Sequence, residues 1–250
     1  MARLFLGAQF IHLKEVDSTN EFAQRLLVDQ PLEGTVITTD VQTTGRGQAG
    51  TRWEAAAGQN VLMSTILYPK ALLAREAFVL GQLTALAVWQ AIHAIYPDAD
   101  LHIKWPNDIL LDGQKVAGIL IENQLRGSNV ESSIIGIGIN VNQAIFPPGF
   151  GNPTSLFLYS GQHLEREAFK EQVLDKLEAA YLRLRRHGPT SFKRDFDARM
   201  YSYRAKTLLE FDGQQVHCQI LGTDAQGHLW VELPDGSERT FAHKEVRWIL

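Results

Sequence analysis

The sequence is poor in cysteine and has no excess of basic residues. Cys218 is the only cysteine among 250 residues, which excludes an intramolecular disulfide, and no Cys/His cluster has the spacing of a zinc site. Lys and Arg number 24 against 28 Asp and Glu, giving a formal net charge of −4. Nucleic-acid-binding domains usually present a clustered cationic face, so we expect no DNA partner. The cysteine content fits a reducing, cytoplasmic compartment.

Sequence features of membrane proteins and of the common nucleotide-binding motifs are also missing. No segment reaches the ~18 consecutive apolar residues expected of a membrane-spanning helix. The short apolar run at the N-terminus ends at His12 and Lys14 without a small-residue cleavage site. Neither the GxxxxGK[ST] phosphate loop nor the GxGxxG dinucleotide fingerprint is present. We therefore expect no membrane partner and no ATP use through a standard P-loop.

The periodicity of apolar residues predicts a mixed α+β architecture. It predicts two long amphipathic helices, at 74–95 and 166–185, and a shorter helix that starts at Asp17–Asn20 and ends before Pro31. Runs rich in β-branched residues predict strands at 34–42, 60–69, 101–106, 115–122 and 132–142. Asp112-Gly113 between two apolar runs predicts a hairpin turn. Because strands and helices do not strictly alternate, a mixed β-sheet with helices is favoured over a doubly wound parallel sheet.

The pattern of apolar and turn-forming residues changes after about Arg199. From there, short apolar runs alternate with FDGQ, TDAQGH and PDGS turns, and no helical pattern remains. This predicts a small C-terminal β domain of about five strands, an SH3-like barrel or similar. We divide the chain into residues 1–200 and residues 201–250 and expect the two parts to pack together.

Four polar or glycine-rich segments stand out as candidate site residues. Asp17-Ser18-Thr19-Asn20 is either a simple helix cap or a polar pocket at a helix N-terminus. The loop QTTGRGQAGTRW (42–53) is either a surface turn with solvated arginines or an anion site built from glycine amides and Arg46.

The other two segments end predicted strands. In KWPND (104–108), Lys104 lies at the end of an apolar strand, where a cation is costly without an anion. Pro106 should break the strand and leave Asn107 and Asp108 on a loop, whereas Lys115 in KVAGILIE could reach solvent. In GIGINVN (136–142), alternating glycines either pack against a helix or admit a flat group, with Asn140 and Asn142 pointing the same way.

Together and in this order, the segments resemble the biotin protein ligase family, whose hallmarks are a DSTN-type helix start, a GRG-x-x-G-x-x-W loop, KWPND, KxAGIL and GxGxN. The resemblance runs from about residue 12 to the C-terminus. It implies a catalytic fold like that of class II aminoacyl-tRNA synthetases. It also implies ATP-dependent activation of biotin to biotinyl-5′-AMP with Mg²⁺, followed by transfer of biotin to a lysine of a biotin carboxyl carrier protein.

The resemblance also implies roles for individual residues. Lys104 and Arg46 would be catalytic. The residues implied to bind biotin are Ser18, Thr19, Asn20, Gln42, Arg46, Gly47, Gln48 and Lys104. Those implied to bind the nucleotide are Arg52, Trp53, Asn107, Lys115 and Asn140. No protein ligand to a metal is implied, and we expect the glycine loop to act as a lid that excludes water from the acyl-adenylate.

Two departures from the family pattern qualify these expectations. Gln48 and Ala49 stand where many members have basic residues, so retention of the adenylate could be weaker. The first motif begins at residue 17, so we expect no N-terminal DNA-binding domain. The alternatives are a lipoate or octanoate ligase or transferase of related fold, and a non-catalytic biotin binder. The oligomeric state stays open, with a homodimer as one option.

Overall fold

The structure is a computed structural model that describes residues 3–149 and 151–249, apart from the side chain of Ala49. Its helices are α1 (Thr19–Leu26), α2 (Phe78–Ile95), α3 (Leu156–Ser160), α4 (Arg166–His187) and α5 (Lys193–Asp197). The strands of the first sheet are β1 (Phe10–Val16), β2 (Val36–Gln42), β3 (Val61–Leu67), β4 (Leu101–Lys104), β5 (Asp108–Leu111), β6 (Gln114–Arg126) and β7 (Asn129–Ile139). Those of the second are β8 (Lys206–Phe211), β9 (Gln214–Thr223), β10 (Leu229–Glu232), β11 (Glu238–Phe241) and β12 (Arg247–Trp248).

The larger sheet is mixed, as predicted. Its seven strands run in the order β1-β2-β3-β7-β6-β5-β4, with β1 parallel to β2 and the remaining neighbours antiparallel. Most strand bounds lie within a few residues of the predicted ones, and the Asp112-Gly113 turn is present with φ of 50° and 73°. The α+β prediction is therefore confirmed.

One expectation about this sheet is wrong, and its first strand was missed. Asp108 does not lie on a loop: it begins β5 and pairs with Lys104 of β4 across a tight turn that contains a cis Trp105–Pro106 bond. Proline ends β4, but the chain reverses at once and forms another strand. The edge strand β1 was not predicted, because its residues alternate between half-buried and exposed, and charged residues interrupt its short apolar run.

The two faces of this sheet have different coverings. Strand residues alternate between faces, so Ile135, Ile137 and Ile139 of β7 enter the main core that α2 and α4 cover. Ile134 faces the other way and packs in a small cluster beneath α1. Gly136 and Gly138 continue that second face, where the missing side chains make room for Asn20 and Trp53.

Helix α2 is the central helix of the main core. The segment Ala74–Ile95 is long and apolar enough to cross a membrane by length and composition, but most of it is buried inside the fold. Its fully buried residues include Leu80, Leu83 and Val88. Burial against the sheet and α4 accounts for its composition.

The C-terminal segment forms five antiparallel strands in the described part of the chain, ordered β11-β10-β9-β8-β12. This confirms the predicted β domain. Its apolar residues Leu209, Ile220 and Phe241 belong to the same core cluster as the larger sheet. Helix α5 ends at Asp197 and β8 begins at Lys206, so the boundary at residues 200 and 201 stays a prediction within a continuous core.

Several buried hydrogen bonds fasten the two sheets together. Trp105 Nε1 donates to Gly227 O at 2.9 Å, and Asp197 Oδ1 accepts from the backbone N and Oγ1 of Thr223 at 3.1 and 2.8 Å. Ile103 N donates to Arg199 O at 2.8 Å, so the chain entering the C-terminal domain pairs with β4. The strand that carries Lys104 is thereby tied to the second sheet.

A buried carboxylate fixes the N-terminal segment. Glu178 of α4 accepts backbone N–H groups of Leu4, Phe5 and Leu6 at 2.7–2.9 Å and is 5% exposed. Burial alone would raise the pKa of Glu178, but the three donors outweigh it and the pKa is lowered. The carboxylate therefore stabilises the fold most fully above the ordinary glutamate pKa, and this is lost as pH falls through the lowered value.

We expect Glu178→Gln to lower the free energy of unfolding by about 1–3 kcal/mol at neutral pH, because charged acceptors form the stronger hydrogen bonds. Glu171→Gln is the control: Glu171 pairs with Arg3 of the same segment but is 46% exposed, so its loss should cost under about 1 kcal/mol. Denaturant unfolding at neutral and acidic pH measures both. Equal losses in the two variants would contradict this role for Glu178.

Candidate active site

A cavity of about 530 Å³ lies beside α1, on the glycine face of the larger sheet. Every predicted site residue except Asn140 lines it: Ser18, Thr19, Asn20, Gln42, Arg46, Gly47, Gln48, Arg52, Trp53, Lys104, Asn107 and Lys115. The fold thus collects four segments that are distant in sequence around one space.

The DSTN segment forms an uncharged corner of this cavity. Ser18 occupies the N-cap position of α1, but its side chain makes no capping hydrogen bond. Thr19 donates from its backbone N and Oγ1 to Gln42 Oε1, at 2.8 and 3.2 Å. Ser64 of β3 lies 2.7 Å from Thr19 Oγ1 and 2.6 Å from Asn20 Oδ1. The corner is therefore a prearranged set of hydroxyl and amide groups.

The glycine loop is folded back on itself. Gly47 N donates to Thr51 O at 2.7 Å, and Trp53 N donates to Gly45 O at 3.0 Å. Arg46 does not point into open space, because its guanidinium pairs with Glu21 and, at 3.2 Å, with Glu122. In this conformation the Arg46 side chain joins the glycine loop to α1 and to β6, and we call it the latch of the loop.

Trp53 is the flat group that lies on the glycine face. A Cβ at Gly138 would come within 2.6 Å of the indole, and one at Gly118 within 2.9 Å. Lys115 Nζ lies 5.5 Å from the indole ring centroid. Close approach of this ring therefore requires glycine at Gly118 of β6 and Gly138 of β7, and the ring anchors the far end of the loop.

Two lysines with different partners face the cavity. Lys115 pairs with Asp108 at 2.6 Å, whereas none of the ion pairs in the described part of the chain includes Lys104. Burial lowers the pKa of Lys104 and nearby Lys115 lowers it further, while Asp108 acts in the opposite direction. Lys104 is thus a half-buried cation with no ion-pair partner among the described residues, which leaves its charge available to an anionic ligand.

The asparagines singled out in the sequence mainly form structural hydrogen bonds with the backbone. Asn107 Nδ2 donates to Ile119 O at 2.7 Å and holds β6 at the cavity wall. Asn140 is not brought to the cavity: it is 3% exposed, and its Nδ2 donates to Thr154 O at 2.9 Å. Asn142 is also engaged elsewhere, with the backbone of Leu164.

Sequence reasoning missed several lining groups because tertiary contacts bring them in. Three residues of the C-terminal segment, His243, Lys244 and Arg247, reach the cavity. Six cationic side chains line it, Arg46, Arg52, Lys104, Lys115, Lys244 and Arg247, against one carboxylate, Asp108. The cavity is therefore cationic in a chain whose formal net charge is −4, which favours an anionic ligand.

Known proteins resemble the chain in sequence and in fold. A family model described as the biotin/lipoate A/B protein ligase family matches residues 13–140. A bifunctional ligase/repressor BirA of Bacillus spizizenii is 34% identical, over 95% of this chain and 73% of its own length. A biotin–[acetyl-CoA-carboxylase] ligase of Paracoccus denitrificans is 37% identical, over 68% of this chain and 70% of its own length.

The fold is similar to that of a solved enzyme. The biotin protein ligase of Aquifex aeolicus, solved in complex with biotin and ATP, superposes with a TM-score of 0.78 at 27% identity. The match covers 97% of this chain and 100% of that one. By sequence and by fold, the chain belongs to the biotin/lipoate A/B protein ligase family.

Proposed function

We propose that the protein is a biotin–protein ligase. It activates biotin with ATP to biotinyl-5′-AMP, releasing pyrophosphate, and transfers biotin to one lysine of a biotin carboxyl carrier protein. The observation that carries this proposal is the composition of the cavity, which joins an uncharged hydrogen-bonding corner to six cations. Biotin has a neutral ureido ring at one end and a carboxylate at the other, and ATP adds a triphosphate.

The uncharged corner receives the ureido ring. Ser18, Thr19 and Asn20 are each under 5% exposed, and with Gln42 they present both donors and acceptors. A ureido group needs both kinds of partner, because it has one carbonyl acceptor and two N–H donors. A buried polar corner of this kind also penalises ligands that cannot pair with it.

The cationic side receives the reacting groups. Biotin's carboxylate and the α-phosphate of ATP repel each other and must be held together. Lys104, which forms no ion pair with the described residues, stabilises the charge that develops between them. Lys115 and Arg46 also line the cavity. Lys115 would exchange Asp108 for substrate oxygens, whereas Arg46 keeps its contact with Glu122.

Nucleotide binding extends from the lid to the C-terminal domain. Trp53 offers an aromatic face, while Arg52, Lys244 and Arg247 supply charge for the phosphates. Mg²⁺ would be held mainly by the triphosphate, as is usual for Mg²⁺ at phosphate sites. Asp108 is the cavity's one carboxylate, and Mg²⁺ bound to phosphates commonly takes one or two. Bound Mg²⁺ would offset phosphate charge.

The environment of Gln48 is consistent with weaker binding of biotinyl-5′-AMP. Its Oε1 is buried without a hydrogen-bond partner, so it adds an acceptor where a cation would add charge. The neighbouring side chain, Ala49, lies outside the described residues. Weaker retention of biotinyl-5′-AMP remains part of the proposal.

Biotin is favoured over the alternative substrates. The family includes lipoate enzymes, but the relative from Paracoccus denitrificans is named as a biotin–[acetyl-CoA-carboxylase] ligase, and the solved neighbour from Aquifex aeolicus is a biotin protein ligase in complex with biotin and ATP. A non-catalytic binder would have little use for Lys104. We place the reaction in the cytoplasm, where ATP and carrier proteins are present, and a homodimer remains one option.

Transfer to a carrier tests the function. The protein, biotin and MgATP are incubated with a purified biotin carboxyl carrier domain, and intact mass is measured. We expect a gain of one biotinyl group on the wild-type carrier and none on the carrier whose acceptor lysine is changed to arginine. Modification by lipoate or octanoate instead of biotin would contradict the proposal.

Gly136→Ala tests the ureido corner. A Cβ at Gly136 would lie within 2.9 Å of Asn20 Cγ and closer still to its amide oxygen. We expect Asn20 to be displaced at a cost of about 1–3 kcal/mol, as for other overpacked sites, so that biotin affinity falls by roughly tenfold or more.

The matched control is Gly81→Ala in α2, where an added Cβ meets nothing within 4 Å. This variant should bind biotin normally and gain slightly in stability, since alanine is the better helix former. Isothermal titration with biotin measures both variants. Unchanged affinity in Gly136→Ala would remove Asn20 from the binding corner.

A further inference from the structure

Glu122 of β6 lies between the two parts of the site that must act together. Its Oε2 accepts from Asn20 Nδ2 at 2.8 Å, and its Oε1 lies 3.2 Å from an Arg46 guanidinium nitrogen. Asn20 belongs to the uncharged corner, and Arg46 is the latch of the glycine loop. One side chain therefore touches both.

Glu122 completes a continuous chain of polar contacts. From Asn20 the chain runs through Ser64 to Thr19 and then to Gln42, with Asn20, Ser64 and Thr19 all under 5% exposed. From Arg46 it runs to Glu21 of α1. The corner is thus buried and hydrogen-bonded, whereas the Arg46 side chain is 43% exposed and, among the described residues, forms ion pairs with Glu21 and Glu122.

Only a carboxylate can hold both neighbours. The Asn20 amide nitrogen and the Arg46 guanidinium are both donors, and an ionised Glu122 presents two oxygens that only accept. A glutamine in its place would keep one oxygen and turn its NH₂ group toward a donor. The chain would then break on one side of residue 122 while the shape of the side chain stayed the same.

We propose that Glu122 is a positioning residue that couples the uncharged corner to the Arg46 latch, so that a ligand in the corner favours nucleotide capture by the loop. A ligand that fixes the Asn20 amide also fixes Glu122, and Glu122 fixes Arg46. Arg46 then loses its conformational entropy when the first ligand binds. The second ligand binds without that cost. By thermodynamic linkage, each ligand raises the affinity of the protein for the other by the same factor.

This inference rests on the proposed function, because it takes biotin as the ligand of the corner and ATP as that of the loop. The experiment measures how strongly saturating biotin tightens the binding of an ATP analogue with a methylene bridge between the α- and β-phosphates, which cannot be adenylated. Isothermal titration gives this coupling factor directly. For wild type we expect a value within roughly 5–150-fold, the usual range of such couplings.

Glu122→Gln and Glu21→Gln form a matched pair. Both glutamates pair with Arg46, but only Glu122 also contacts Asn20. In Glu122→Gln the coupling factor should fall to about 1. In Glu21→Gln the analogue should bind more weakly by the same factor with and without biotin, so that the coupling survives. Thermal melts check that both variants are folded.

Arg46→Met breaks the same chain at its other end and should also abolish the coupling. The proposal is overturned if Glu122→Gln or Arg46→Met keeps the wild-type factor, if Glu21→Gln loses it as well, or if wild type binds both ligands without coupling. Failure of the wild type to bind biotin at all would instead refute the proposed function, which separates the two conclusions.

Discussion

Lys104→Ala is expected to slow biotin adenylation by about 10²–10³-fold, the loss typical when one preorganised electrostatic stabiliser is removed. Lys104 ends β4, is half-buried, and takes part in none of the ion pairs of the described residues. Its charge is therefore available to the carboxylate and the α-phosphate as they come together. An interaction made mainly in the transition state lowers kcat more than it raises KM.

Biotin-dependent ATP–pyrophosphate exchange measures this loss. Lys176→Ala serves as the control, because Lys176 is an exposed lysine on α4 and does not line the cavity. It should exchange at the wild-type rate. Near-normal turnover in Lys104→Ala would remove Lys104 from the mechanism.

The pH profile gives an independent check on Lys104. Because burial lowers the pKa of Lys104, the neutral amine forms at a lower pH than in an ordinary lysine. Wild-type adenylation should therefore decline as pH rises through that lowered pKa, whereas the residual rate of Lys104→Ala should lack this decline. In the same range the unfolded chain binds more protons than the folded one, so folding stability rises with pH there.

Gly227→Ala is expected to cause the largest loss of stability, because it forces the β9–β10 connection of the C-terminal domain away from α2. Gly227 lies between β9 and β10 with φ of 88°, and an added Cβ would come within 2.7 Å of Phe78 Cβ. We expect about 1–2 kcal/mol from the left-handed backbone and about 1–3 kcal/mol more from the clash. The carbonyl that accepts from Trp105 would also shift.

Gly236→Ala is the matched control. Gly236 has φ of 82° in a turn of the same domain, but an added Cβ meets nothing within 4 Å. It should show the backbone cost alone. Since Lys244 and Arg247 reach the cavity from this domain, Gly227→Ala should also raise the KM for ATP, and Gly236→Ala should not. Equal melting temperatures and equal KM values in the two variants would contradict the proposed junction.

Much of the site was predictable, because its chemistry is concentrated in short motifs. Residues near each other in sequence, such as Ser18 and Asn20 or Lys104 and Asp108, stay together whatever the fold does around them. The alternating glycines of β7 were also informative. A strand face that has no side chains is approached closely by a large group. In this structure the large groups are Asn20 and Trp53.

What was not predictable depends on pairing between distant segments. Nothing in the local pattern of KVAGILIE indicates that Glu122 meets Arg46, because that contact requires the register of β6 against β7 and the closed loop. Likewise, Lys244 and Arg247 reach the cavity only through the junction at Trp105 and Gly227. Asn140 shows the reverse, since a residue of the right type in the right motif is turned toward Thr154.

The central claim is that this cavity activates biotin, and pyrophosphate exchange on the wild-type protein tests it most directly. With labelled pyrophosphate, MgATP and one acid at a time, we predict label in ATP when biotin is present, and none above background with lipoate or octanoate. Exchange with lipoate or octanoate but not with biotin, or no exchange with any of the three, would contradict the account.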